Sequence, residues 1–155
     1  MQQRPPTRRA ITLLELIAVL TLMGIMSAVT IARYSTGSQF FAGAQADMRR
    51  LITDLQLARR RAISTGDNHL ISFTTTGGVI TGYEMQRRDV NGGLTTLANS
   101  HTFNDEITVA VTPGNPEFNF QGEGLAAYQI SLATNGRTWL ITVVPITGYV
   151  NGTEL

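Results

Sequence analysis

At 155 residues the chain has room for one domain and one anchoring segment, because domains commonly run to roughly 100–150 residues. Cysteine is absent, which excludes disulfides, thiolate metal sites and a cysteine nucleophile. The formal charge is +1, and because Arg4, Arg8 and Arg9 stand within the first ten residues the remainder sums to −2, which is no nucleic-acid footprint.

The first element is the run Ile11 to Ala32, ITLLELIAVLTLMGIMSAVTIA, whose one charged residue is Glu15. A bilayer needs about 20 predominantly apolar residues, so the run predicts a membrane-spanning helix, and it exceeds the roughly 7–15 apolar residues of a cleaved secretory signal. Arg4, Arg8 and Arg9 precede it and only Arg33 follows closely, which places the N-terminus in the cytoplasm and the bulk of the chain outside. An ionisable side chain in such a segment costs about 2.5–3.5 kcal/mol on insertion scales. The helix dipole returns only about 0.3–1 kcal/mol to an anion near the helix start, so Glu15 calls for a partner. An amino terminus created between Ala10 and Ile11, on this chain or a neighbour, would supply one. The alternative is a carboxylate snorkelling to the headgroups from a plain anchor.

Beyond Arg33 the helical period continues in Phe41, Ala44, Met48, Leu51, Leu55, Ala58 and Ala62, one apolar stripe at steps of three and four. Asp47, Arg49, Arg50, Asp54 and Arg59-Arg60-Arg61 occupy the other side, so this half is amphipathic and should pack on a sheet. Gly66 supplies the stop. A continuous helix from Ile11 to Ile63 would extend roughly 80 Å at about 1.5 Å per residue, with Gly37 and Gly43 as weak points. Short strands follow: His69 to Thr75, Val79 to Arg87, Leu94 to Phe103, Ile107 to Val111, Phe118 to Phe120, Gln129 to Ala133 and Trp139 to Val144. Gly77-Gly78, Asp89 to Gly93, Pro113 to Pro116 and Asn135-Gly136 are the turns between them, and Pro145 marks an edge. The predicted class is α+β: a long N-terminal helix, apolar then amphipathic, packed on a C-terminal, mostly antiparallel sheet.

The stretch Arg8-Arg9-Ala10-Ile11-Thr12-Leu13-Leu14-Glu15-Leu16 resembles the class III signal of type IV prepilins, usually written G-F-T-L-x-E. Ala10 stands where that signal has Gly, and Ile11 where it has Phe. The resemblance implies that a prepilin peptidase cuts after Ala10 and N-methylates Ile11, and that Glu15 is the assembly carboxylate. Leu57-Ala58-Arg59-Arg60-Arg61-Ala62-Ile63 before a β domain ending in Ile141-Thr142-Val143-Val144 and Thr147-Gly148-Tyr149-Val150 is similar to the GspH/FimT-type minor pseudopilins. That likeness implies a leader at 1–10, a transmembrane and assembly helix at 11–32, an amphipathic helix at 33–66 and a periplasmic β-rich domain at 67–155. It also implies a structural subunit of a type II secretion pseudopilus with a tip or priming role. The implied partners are other pseudopilins or pilins, the peptidase, the inner membrane and its assembly platform. Two alternatives stand beside it: a minor type IV pilin in pilus assembly or DNA uptake, and an ordinary signal-anchored envelope protein. Family members that bind DNA use a basic C-terminal loop, whereas Asn151-Gly152-Thr153-Glu154-Leu155 is not basic.

Enzymatic, metal or cofactor chemistry is not predicted. His69 and His101 lack metal-type spacing and are expected on a strand surface. Asp89-Val90-Asn91-Gly92 begins like a calcium loop but lacks the later ligands, and reads as a β-turn. Asn151-Gly152-Thr153 reads as the end of a turn. Successive residues Arg59, Arg60 and Arg61 point about 100° apart on a helix and form no single groove; a solvated face with pairing to Asp54 or Asp67 is expected. Serine and threonine are frequent, but no G-x-S-x-G elbow occurs.

Overall fold

The computed structural model describes residues 12–34, 38–134 and 136–155, with side chains at 31–34, 38–42, 98 and 99 left undescribed. Two helices, α1 (Leu13–Tyr34) and α2 (Ser38–Thr65), lie within the span of the long helix expected, and residues 35–37 between them lie outside the described residues. The chain divides into two compact units, Met1–Gln39 and Phe40–Leu155. Helix α2 ends as the sequence predicts: Gly66 adopts φ 77° and its N–H bonds the Ala62 carbonyl at 3.0 Å, a left-handed cap that glycine takes without strain.

Eight strands follow: β1 (Asn68–Thr76), β2 (Val79–Arg88), β3 (Leu94–Thr102), β4 (Thr108–Thr112), β5 (Glu117–Phe118), β6 (Tyr128–Thr134), β7 (Arg137–Val143) and β8 (Val150–Glu154). They form two antiparallel four-stranded sheets, ordered β3-β2-β1-β5 and β4-β6-β7-β8, where a single sheet was expected. The register pairs Ile71 with Met85 and Leu132 with Trp139. Strict alternation in β6 and β7 turns Tyr128, Ile130, Leu132, Trp139, Ile141 and Val143 inward.

Those side chains share one core with the α2 stripe, in which Ala44, Met48, Leu51, Leu55, Ala58 and Ala62 are all buried as predicted; the side chain of Phe41 lies outside the described residues. Each large aliphatic side chain removed from water there contributes about 1.5–3 kcal/mol.

Strand β8 was not predicted, and Asn151-Gly152-Thr153 lies inside it rather than ending a turn. A Cβ on Gly152 would meet Ile52 Cδ1 at 2.5 Å and Met48 Sδ at 3.3 Å, so the side-chain tips of α2 lie directly over this glycine. Strand β7 is consequently interior, flanked by β6 and β8. Phe120 falls outside β5 and is 57% exposed.

Candidate assembly site

Thr12 precedes the first turn of α1, and its carbonyl accepts from the N–H groups of Glu15 at 3.0 Å and Leu16 at 3.1 Å. Its hydroxyl oxygen also accepts from the Glu15 N–H at 3.3 Å. Thr12-Leu13-Leu14-Glu15 thus has the spacing of an N-terminal capping box, a signal present in the sequence but unread there. The Glu15 carboxylate is exposed, with no hydrogen bond or ion pair to any described residue. Ala10 and Ile11 lie outside the described residues.

The rest of α1 presents hydrocarbon. Thr21, Ser27 and Thr30 turn their hydroxyls back onto main-chain carbonyls, Thr21 to Ala18 at 2.9 Å, Ser27 to Met23 at 2.8 Å and Thr30 to Met26 at 2.8 Å. Among the described residues, Leu13–Thr30 is the one segment long and apolar enough to cross a membrane, and all of it is exposed. What this surface can do chemically is pack against lipid or other helices, with a single carboxylate near its start.

In the unit that follows, the polar groups serve packing. Helix α2 is tied to β2 and β3 by Tyr83, whose hydroxyl donates to Asp54 Oδ2 at 2.7 Å, and by His101 Nε2, which lies 2.9 Å from Asp47 Oδ1. Burial, reinforced by the Asp54 carboxylate, holds the Tyr83 phenol well above its ordinary pKa, so it remains a donor. Phe73, Tyr83, His101 and Phe103 pack as neighbouring rings, His101 and Phe103 edge-to-face at 5.6 Å. Glu117 is nearly buried and accepts from Arg88 at 3.0 and 3.1 Å and from Asn68 at 2.9 Å.

Several expectations are corrected here. His69 is 1% exposed, its Nδ1 3.1 Å from the Asp67 carbonyl, and His101 is half-buried against Asp47; neither is a strand-surface residue. Asp54 pairs with Arg50 and Asp67 with Arg87, while Arg59 donates to the Gly122 carbonyl at 2.9 Å and Arg61 approaches Met85 Sδ. The Asp89 loop is a turn as read: its carboxylate accepts from the N–H groups of Asn91 and Gly93. Among the described residues no cluster of histidine and carboxylate side chains suits a metal ion. A surface groove of about 360 Å³ runs between Gln56, Arg59, Arg60 and Ile63 of α2 and Gly148-Tyr149-Val150. Sequence periodicity gave no sign of it, since Tyr149 reaches α2 only through the fold.

Against this geometry, a family model described as the type II transport protein GspH matches residues 47–147, most of α2 and the sheets up to the turn after β7. The chain belongs to the GspH family. The match lies wholly beyond α1, so it stands independently of the prepilin-like signal, and the resemblance read from the sequence is borne out. Two solved structures of the minor pseudopilin EpsH, from the type 2 secretion system of Vibrio cholerae, share the fold of this GspH-family chain. One is 14% identical, with a TM-score of 0.59, covering 72% of this chain and 96% of that one; the other is 13% identical, with a TM-score of 0.58, covering 72% and 93%. The type IV minor pilin FimU of Pseudomonas aeruginosa is 16% identical, with a TM-score of 0.56, covering 69% and 85%. No curated protein matches the chain significantly.

Proposed function

We propose that this GspH-family chain is a minor pseudopilin, a structural rather than catalytic subunit that enters a periplasmic type II secretion pseudopilus through α1 and has a tip or priming role. The observation that carries the reading is the coincidence of a GspH-family domain with an apolar, capped α1 whose span Leu13–Thr30 has Glu15 as its single charge. In this reading a prepilin peptidase removes residues 1–10 and methylates Ile11. Glu15 then pairs with the amino terminus of a neighbouring subunit at the inner-membrane assembly platform. Pairing with an opposite charge in low dielectric would offset part of the desolvation cost that Glu15 carries in the apolar span.

Intact mass of the membrane-extracted chain tests the first step. Loss of residues 1–10 with gain of one methyl group is expected, and a full-length mass in cells with an active peptidase would sink the reading. Sheared filaments from cells making either a type II pseudopilus or a type IV pilus test the second step. Recovery with the pseudopilus is expected, and recovery with the pilus alone would transfer the chain to the minor-pilin reading.

A further inference from the structure

Strand β8 ends its sheet, so one of its edges is paired with β7 and the other is open. In an antiparallel ladder successive residues turn their main-chain groups alternately toward the partner and away from it. The phase is fixed by the bonds from the Val144 N–H to the Tyr149 carbonyl and from the Leu155 N–H to the Thr138 carbonyl, both 2.9 Å. Asn151 and Thr153 therefore face β7, and the N–H and C=O groups of Val150, Gly152 and Glu154 point outward, without a partner among the described residues. Open edges are commonly blunted by lysine, proline or a bulge. Strand β8 has neither residue, and its register with β7 is unbroken.

Helix α2 runs along this edge. Arg49, Ile52, Gln56, Arg60 and Ile63 recur at steps of three and four and form a second stripe beside the core stripe. Ile52 lies over Gly152, and Gln56, Arg59, Arg60 and Ile63 share the groove with Gly148-Tyr149-Val150. The charges of α2 are divided between its two flanks. Asp47 and Asp54 face β3 and β2 through His101 and Tyr83, Arg50 pairs with Asp54, and Arg61 stands on that same flank, 3.8 Å from Met85 Sδ. The flank toward β8 holds Arg49, Arg59 and Arg60 and no carboxylate. None of these three has a carboxylate partner among the described residues; Arg59 and Arg60 bond main-chain carbonyls, those of Gly122 and Gln56. Glu154, at the far end of β8, is held by Arg137.

A row of outward donors and acceptors together is complemented by extended main chain, whereas a nucleic acid or free phosphate offers mainly acceptors to it. Arg49 and Arg60 stand 60 − 49 = 11 positions apart on the helix, about 16 Å at ~1.5 Å per residue. In an extended segment, side chains four positions apart point the same way and are separated by about 13 Å, a difference within the reach of arginine side chains. The position midway between them would face Ile52 and Gln56. No two acidic residues of this chain are four positions apart, so a second copy does not supply such a segment.

We infer that β8 takes an additional strand from a different protein: an extended segment in which two acidic side chains, four positions apart, flank an apolar one facing α2. One edge takes one strand, so the contact ends there, in keeping with a minor subunit. The inference goes beyond the pseudopilus reading and does not depend on processing or on a secretion system.

The probe is a fluorophore-labelled peptide, TETVTET with blocked ends, titrated with the full-length chain in detergent micelles and followed by anisotropy. Saturable binding that weakens with salt is expected, at least roughly fivefold tighter than for TEEVTTT, which has the same composition but places its glutamates on opposite faces. Amide exchange at Gly152 and Glu154 should slow roughly tenfold where the chain is about 90% bound, in proportion to its free fraction. Arg49→Glu combined with Arg60→Glu should leave the melting temperature unchanged, weaken TETVTET binding roughly fivefold or more, and transfer the preference to TKTVTKT. Equal binding of the two glutamate peptides, no binding at all, or unchanged exchange at Gly152 and Glu154 would overturn the inference. So would self-association of the chain that Arg60→Glu abolishes, since the edge would then serve a second copy.

Discussion

Tyr83 keeps a proton that the unfolded chain releases near pH 10, because burial and the Asp54 carboxylate raise its pKa in the native state. Above that pH the native chain binds more protons than the unfolded one, so stability falls as pH rises, by up to about 1.4 kcal/mol per pH unit for one proton. Tyr128, raised chiefly by burial, adds in the same direction. Tyr83→Phe should cost about 1.5–3 kcal/mol at neutral pH, the value of a hydrogen bond to a charged acceptor, and should flatten the alkaline slope. Thermal melts between pH 7 and 11 measure both, and an unchanged slope would remove Tyr83 from the account. Leu55 is fully buried, so Leu55→Asp places an unpaired charge in the core and should destabilise the fold by several kcal/mol, about the penalty of burying a polar group without a partner. A melting temperature equal to that of the parent would contradict it. At Glu15 the expectation is opposite in sign for two readouts. Glu15→Leu should insert at least as well, since Leu favours the helix centre by about 0.3–0.6 kcal/mol. Yet it should be depleted from sheared filaments, and normal incorporation would deny Glu15 its assembly role.

Element by element, the long periodic segments were readable and the short polar ones were not. The α2 stripe declared itself because burial on one helix face repeats every three to four residues, and each such position whose side chain is described is buried. Strand β8 hid in Val150-Asn151-Gly152-Thr153-Glu154, where only Val150 is buried and glycine and asparagine lower strand propensity. Its support is tertiary: it pairs with β7 along its length, and Ile52 and Met48 of α2 lie over Gly152. The bond between His101 and Asp47 was equally illegible, since they stand 54 positions apart and only the packing of α2 on the sheet brings them together. Glu15 could be found from sequence alone because its anomaly is local. Ending the chain at Tyr149 should therefore be costly, although the lost segment is short and mostly polar. The edge of β7 would lose its partner and the core would lose Val150. Insoluble expression, or a cooperative melt shifted strongly downward, is the expected result; an unaltered melt would show that β8 contributes little.

At the scale of the whole molecule, two surfaces of opposite character share one chain. Among the described residues every core side chain lies at or beyond Ala44, while those of α1 bury nothing. A fragment beginning at Phe40 should therefore fold without detergent and melt close to the temperature of the full chain in micelles. Circular dichroism on both checks this, and a fragment without a cooperative transition would mean that the domain draws stability from α1. The same separation explains why the family match beginning at residue 47 and the membrane-type span ending at Thr30 are independent observations.

The cap at Thr12 also bears on maturation. Its hydroxyl and carbonyl hold the N–H groups of Glu15 and Leu16, and all three residues lie on the retained side of a cut after Ala10. Trimming the chain there would leave the helix start in the same register before and after, only two residues from the fresh terminus. Such a cut would spare every atom of the cap, so the first turn of α1 would keep its own start on either side of processing.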